Sequence, residues 1–206
     1  MKLFLLCVLA YLLGSIPFGV LIGKCKGTDI REQGSGNIGA ANAVRTLGWF
    51  AGVCVLLGDA LKSIAALAAA SFILGPTCSP VALVAVGICA ILGHNASVFL
   101  RFHGGKGVAT TLGVFLVLSW KATVSAFSAW LVVAALSGYA SLASLTASCL
   151  LPVFMKLFGE PAAYVGFSAA AFLFIVFKHR KNIERLLRGE ENKLLRRGSS
   201  QGGVKS

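Results

Sequence analysis

The stretch 93–110, GHNASVFLRFHGGKGVAT, holds the residues best suited to chemistry, and its core is Gly104-Gly105-Lys106-Gly107. Three glycines around one lysine leave backbone N–H groups bare enough to close on an anion, while the ammonium supplies charge. A nucleotide-cradling loop would read G-x-x-x-x-G-K-[ST]; neither that spacing nor a Ser/Thr after the lysine is present, so nucleotide binding is set aside. The same residues also suit a plain turn between two helices, with Lys106 as an anchor at a membrane edge. The loop alone does not choose between these readings.

Two further segments carry comparable chemistry. In 34–45 a glycine-rich turn, Gly34-Ser35-Gly36-Asn37-Ile38-Gly39-Ala40-Ala41-Asn42, precedes Arg45. It joins hydroxyl, carboxamide and guanidinium donors that can hold an anion, although a flexible linker would also be glycine-rich. Near the C-terminus, His179 and Asn182 stand at i, i+3, so on a helix they point to one place. A histidine beside bases is also compatible with a solvated or lipid-facing role.

The elements that must position these loops are membrane spans. The chain has 206 residues, 57% hydrophobic and 13% charged, with a mean hydropathy of +0.84, and its apolar residues come in long runs. A span needs about 20 residues, so roughly six to eight fit and little else. The formal net charge of +12 is concentrated in the last segment and in two short loops, a layout that suits anionic lipid or a phosphorylated substrate and not nucleic acid. Cys7, Cys54, Cys89 and Cys149 fall inside apolar runs, with Cys25 and Cys78 near run ends. No C-x-x-C or Cys/His spacing exists, so buried packing thiols are expected, without metal or disulfides.

Taken in order, 3–23 reads as a retained first span, interrupted at Gly14, Ser15 and Pro17, where a freed carbonyl needs a protein or water partner. A polar loop, 24–46, follows. The second run, 48–74, carries Asp59 and Lys62 at i, i+3, spaced to neutralise each other. The third run is 80–100. From 108 to 177 the chain is apolar, with breaks at 120–121, 137–139 and 156–161, giving four short segments; 108–119 is the weakest and suits a half-helix buried in protein.

The expectation is therefore an all-α integral membrane protein of seven transmembrane helices, with an external N-terminus and a cytoplasmic C-terminus by the positive-inside rule. Residues 1–190 form one polytopic domain, and 191–206 a cytoplasmic basic tail, partly disordered. Ile183, Leu186 and Leu187 among bases suit an amphipathic helix on the inner leaflet.

The blocks Gly14-Ser15-Ile16-Pro17-Phe18-Gly19, Asp29-Ile30-Arg31 to Asn42, Gly93-His94 to Thr110, and His179 to Glu190 together resemble the bacterial PlsY family. These are membrane glycerol-3-phosphate acyltransferases that use acyl phosphate as donor. The resemblance runs in order from Leu12 to Glu190. It departs at Ala41, where the pattern usually has threonine, and at Ser97, where it usually has proline.

The resemblance implies seven transmembrane helices in the inner (plasma) membrane, an active site facing the cytoplasm, and neither cofactor nor metal. Glycerol 3-phosphate and a long-chain acyl phosphate are the implied partners within membrane lipid; no partner protein is implied. It assigns Lys106, His179 and Asn182 as catalytic. Ser35, Gly36, Asn37, Arg45, Gly104, Gly105, Gly107 and Ser141 become substrate-binding, the loop glycines shaping the donor-phosphate site. His103 is left outside the site.

Chemically, an acyl phosphate is a mixed anhydride whose leaving group is already a stable anion. The enzyme must hold charge and align a hydroxyl more than it must protonate. No Ser/His/Asp set is evident, and the acyltransferase signature of an aspartate five residues after a histidine is missing: Phe99 and Glu184 occupy those places after His94 and His179. The rival reading is a carrier or channel for an anionic metabolite. Against it, only Asp59 and Lys62 lie deep and the two halves share no matching blocks.

Overall fold

In the computed structural model, which describes residues 1–76 and 78–194, every regular element is helical. The order is α1 (Lys2–Ser15), α2 (Phe18–Cys25), α3 (Ala40–Leu47), α4 (Trp49–Leu74), α5 (Pro80–Asn95), α6 (Val108–Leu118), α7 (Trp120–Ser137), α8 (Ala140–Leu157), α9 (Ala162–Lys178) and α10 (Arg180–Leu187). Five stretches are long and apolar enough to cross a membrane: Lys2–Cys25, Trp49–Leu74, Pro80–Leu100, Trp120–Ser137 and Ala140–Leu157. The α9–α10 pair, bent by 63°, makes a sixth. The Gly/Ser-rich end expected to be disordered lies outside the described residues.

The helix ends follow the punctuation of the sequence. Ser15 closes α1 and Pro17 precedes α2, splitting the first span where proline removes a donor. Ser79 and Ser119 cap α5 and α7 with their hydroxyls, and Gly138, at φ 75°, ends α7. None of the six cysteines is paired. Contrary to the buried packing role expected of them, Cys25 and Cys149 are exposed and the other four only partly buried; on the outer face of a span, which meets lipid, a small apolar thiol needs no protein neighbour.

Small residues let the spans approach. A Cβ on Gly14 would lie 2.2 Å from the Ala90 carbonyl oxygen, and one on Gly93 would lie 2.2 Å from that of Tyr11. Without a hydrophobic drive in lipid, such close backbone contact is what joins α1 to α5. Gly113 of α6 meets the Ala60 carbonyl of α4 in the same way, and Ser63 Oγ donates to the Thr110 carbonyl at 2.9 Å. The core between them is Leu67, Val86, Val114, Phe115 and Phe167.

α6 is the short helix the sequence pointed to. Its 11 residues span about 16 Å, against about 27 Å for the 18 residues of α7 to which Ser119 joins it. By itself it is too short to cross a hydrocarbon core of about 30 Å.

Asp59 and Lys62 form the expected pair, 2.7 Å apart and each about 2% exposed. Lys62 also donates to the Ile16 carbonyl at 2.8 Å, a protein partner at the break in the first span. Removing one member leaves an uncompensated buried charge, which typically costs about 3–5 kcal/mol. Asp59→Ala should therefore lower the melting temperature in detergent sharply, and adding Lys62→Met should recover part of the loss.

Candidate active site

A cavity opens at one end of the bundle where four separate segments meet. Ser35, Asn37 and Arg45 reach it from the first loop and α3, Lys106 and Gly107 from the glycine loop, Ser141 from α8, and His179 and Asn182 from the α9–α10 bend. Below this polar mouth the walls turn apolar: Phe115 of α6, Ala126, Phe127 and Trp130 of α7, and Ala147 and Leu151 of α8. Trp130 is fixed there by an Nε1 hydrogen bond to Ser144 Oγ at 3.1 Å, and its ring stacks on Phe127.

The first loop is built around Asn42, which is 1% exposed. Its Nδ2 donates to the carbonyls of Ile30 at 3.1 Å and Gln33 at 3.0 Å, and its Oδ1 accepts from the Ser35 N–H at 2.8 Å. Gly34, at φ 60°, has no room for a Cβ, which would meet Asn42 Oδ1 at 2.3 Å. The buried carboxamide thus fixes the turn and sets Ser35 at the mouth. Gly36 lies apart from the cavity wall and supplies only its φ of 70°, a left-handed turn that glycine adopts without strain. Ala41 lines the cavity with a methyl where the PlsY pattern has a hydroxyl.

The glycine loop is held by the end of α5. The Gly105 N–H donates to the His94 carbonyl at 3.1 Å. A Cβ on Gly104 would lie 2.0 Å from that same oxygen, and one on Gly105 would lie 2.2 Å from His94 Nε2. Gly104 and Gly105 therefore shape the loop from behind the cavity wall, and Gly107, at φ 83°, turns the chain into α6. Ser97 Oγ donates to the Ser15 carbonyl at 2.6 Å, so the serine in the place of the family's proline ties the turn after α5 to the broken first span. His103 is exposed, its ring against the Arg101 carbonyl.

Lys106 donates to Asn182 Oδ1. Burial, with Arg185 and Arg45 nearby, pulls its ammonium down to about 8, with Glu191 opposing. His179 stands at the α9–α10 bend, with Nδ1 2.9 Å from the Ile175 carbonyl. That contact requires the proton on Nδ1 and leaves Nε2 as an acceptor. Arg45 is also pushed down by burial; its Nε and NH2 donate to the Lys193 and Asn192 carbonyls at 2.9 and 3.0 Å.

Sequence reasoning missed three residues here. Glu191, 6% exposed, accepts from Ser141 Oγ at 3.1 Å, Asn182 Nδ2 at 2.8 Å and Arg185 Nε at 2.8 Å. Its carboxylate balances cations gathered from distant segments, and an acid inside a basic tail was the available signal. Asp59 and His94 also line the cavity; the glycine before His94 and the Asp59–Lys62 spacing pointed to neither role.

The description glycerol-3-phosphate acyltransferase matches residues 4–189. A glycerol-3-phosphate acyltransferase of Thermosynechococcus vestitus is 42% identical over 206 residues, covering 96% of each chain, and one of Rubrobacter xylanophilus is 42% identical, covering 97% of each. A crystal structure of PlsY, an integral membrane glycerol 3-phosphate acyltransferase in its glycerol 3-phosphate form, superposes with a TM-score of 0.88 at 39% identity, over 94% of this chain and 96% of that one. Its lysophosphatidic acid form gives 0.86 over 94% and 95%. From its first span to the bend that carries His179, this chain belongs to the glycerol-3-phosphate acyltransferase family.

Proposed function

We propose that this membrane acyltransferase moves a fatty acyl group from a long-chain acyl phosphate to the 1-hydroxyl of glycerol 3-phosphate, releasing phosphate and lysophosphatidic acid. The observation that carries the reading is the juxtaposition in one cavity of Ser35, Arg45, Lys106, His179 and Asn182 above an apolar groove. Similarity to enzymes solved with the acceptor and with the product favours it over the carrier reading. Counting α6, the chain crosses the inner membrane seven times, with the cavity and the basic loops on the cytoplasmic side.

In this reading the acyl chain lies between α6, α7 and α8, along Phe115, Phe127, Trp130 and Leu151. The donor phosphate sits on the Gly104–Gly107 loop, where the free N–H groups of the α6 N-terminus and the Lys106 ammonium face it. Arg45, Ser35 and Asn182 hold the acceptor phosphate. The acceptor oxygen bonds to the acyl carbon, and the bond from that carbon to the phosphate oxygen breaks with its electron pair leaving on phosphate. His179 Nε2 accepts the hydrogen bond of the attacking hydroxyl and so aligns it. The phosphoryl oxygens, with a second pKa of about 6, are the final home for the proton. Lys106 stabilises the charge that grows on the leaving phosphate.

With acyl phosphate, acyl-coenzyme A and acyl carrier protein offered side by side, lysophosphatidate should form from acyl phosphate alone. Lys106→Ala should lower kcat/KM by about 100-fold or more, as removal of one preorganised charge donor does. Near-normal turnover would refute the role of the lysine.

The pH dependence has a definite sign. An ammonium at about 8 is present below that pH and lost above it. The kcat/KM for glycerol 3-phosphate should hold through neutrality and fall as pH rises through 8, and Lys106→Arg should remove that limb even at reduced activity.

A further inference from the structure

His94 stands between a buried ammonium and the glycine loop, and its two ring nitrogens face different tasks. Lys62 Nζ is 2.8 Å from the Ile16 carbonyl oxygen, 2.7 Å from Asp59 Oδ1 and 3.0 Å from His94 Nδ1. An ammonium has three protons and no lone pair, so three acceptors use it fully and Nδ1 must meet it as a bare nitrogen. Asp59 Oδ1 lies 3.5 Å from the same Nδ1, a weaker approach than either makes to the ammonium. The imidazole proton is thereby placed on Nε2.

That second nitrogen has no hydrogen-bond partner among the described residues. It occupies the space a side chain on Gly105 would fill, 2.2 Å from the position of such a Cβ, so its N–H stands at the level of the loop backbone. His94 is 4% exposed and lines the cavity. An N–H on the cavity lining with no protein acceptor can meet a ligand oxygen at the loop. The ring adds a donor without adding a positive charge beside Lys106 and Arg45.

We propose that His94 Nε2–H is a further substrate-binding donor, held in that tautomer by Lys62 and given to a phosphoryl oxygen of the acyl donor. This rests on the placement of the donor phosphate on the Gly104–Gly107 loop argued above. Asp59 acts at one remove, keeping the Lys62 ammonium in place.

Two substitutions separate this role from packing. His94→Asn keeps a group where Nδ1 stood and loses the one at Nε2; His94→Gln carries an amide nitrogen to the Nε2 position. For His94→Asn the donor KM should rise about ten- to a hundredfold, the scale of one hydrogen bond to a charged group, with the glycerol 3-phosphate KM changed less than about twofold. His94→Gln should recover most of the loss. An unchanged donor KM in His94→Asn, equal damage from Asn and Gln, or a rise confined to the acceptor KM would each overturn the proposal. Lys106→Met, run in parallel, tells the two readings apart. If it raises the donor KM and His94→Asn does not, the loop placement stands and the histidine alone is excluded; if neither moves it, the loop placement itself has failed. Should the His94 variants not fold, nitrogen-15 spectra of the wild-type enzyme labelled at its three histidines, assigned with His103→Gln and His179→Gln, should place the His94 proton on Nε2. Finding it on Nδ1 would overturn the proposal.

Discussion

One buried ammonium ties the bundle together. Lys62 of α4 reaches the carbonyl of Ile16 at the break between α1 and α2, the carboxylate of Asp59 one turn away, and the ring of His94 at the end of α5. In a bilayer no water is at hand to hydrate either a charge or a freed carbonyl, so each must find its partner inside the protein. The proline break in the first span and the lysine in the second solve each other's problem. Through His94, whose carbonyl holds the Gly105 N–H, the same cluster fixes the loop that carries Lys106.

The cavity above it balances charge in the opposite sense. Arg45, Lys106 and Arg185 converge from three parts of the chain, and the Glu191 carboxylate sits among them with two bonds to neutral donors and one to Arg185. Burial weakens two of these cations, leaving the Lys106 ammonium at about 8 and Arg45 below its usual value. A site that keeps its cations poorly hydrated has more to gain when a phosphate arrives, because the interaction is made in a low-dielectric setting. Beneath it, apolar walls from α6, α7 and α8 adjoin the charged mouth, as an amphiphilic substrate with a charged end and a long chain requires.

Much of this was legible from the residues. Runs of apolar sequence and their Gly, Pro and Ser punctuation set the helices and the split first span. The i, i+3 spacing of Asp59 and Lys62 announced their pairing, and that of His179 and Asn182 announced a common direction. The shortness of 108–119 marked α6 as the weakest of the four segments. The ordered blocks resembling PlsY pointed to the family on which the comparisons converge.

Local pattern stops where partners lie far apart in the chain. Nothing in the spacing of Asn42 separates a carboxamide that pins its own loop from one that faces substrate. Nothing near Glu191 shows that it meets Ser141, 50 residues earlier, and nothing near His94 shows Lys62, 32 residues before it. The sequence alone determined which segments form apolar helices and where they break, because hydrophobic length and backbone stereochemistry act over a few residues. Only the tertiary structure decided which polar groups share a cavity and which stand behind its wall, because burial, tautomer and charge depend on atoms that only packing brings together.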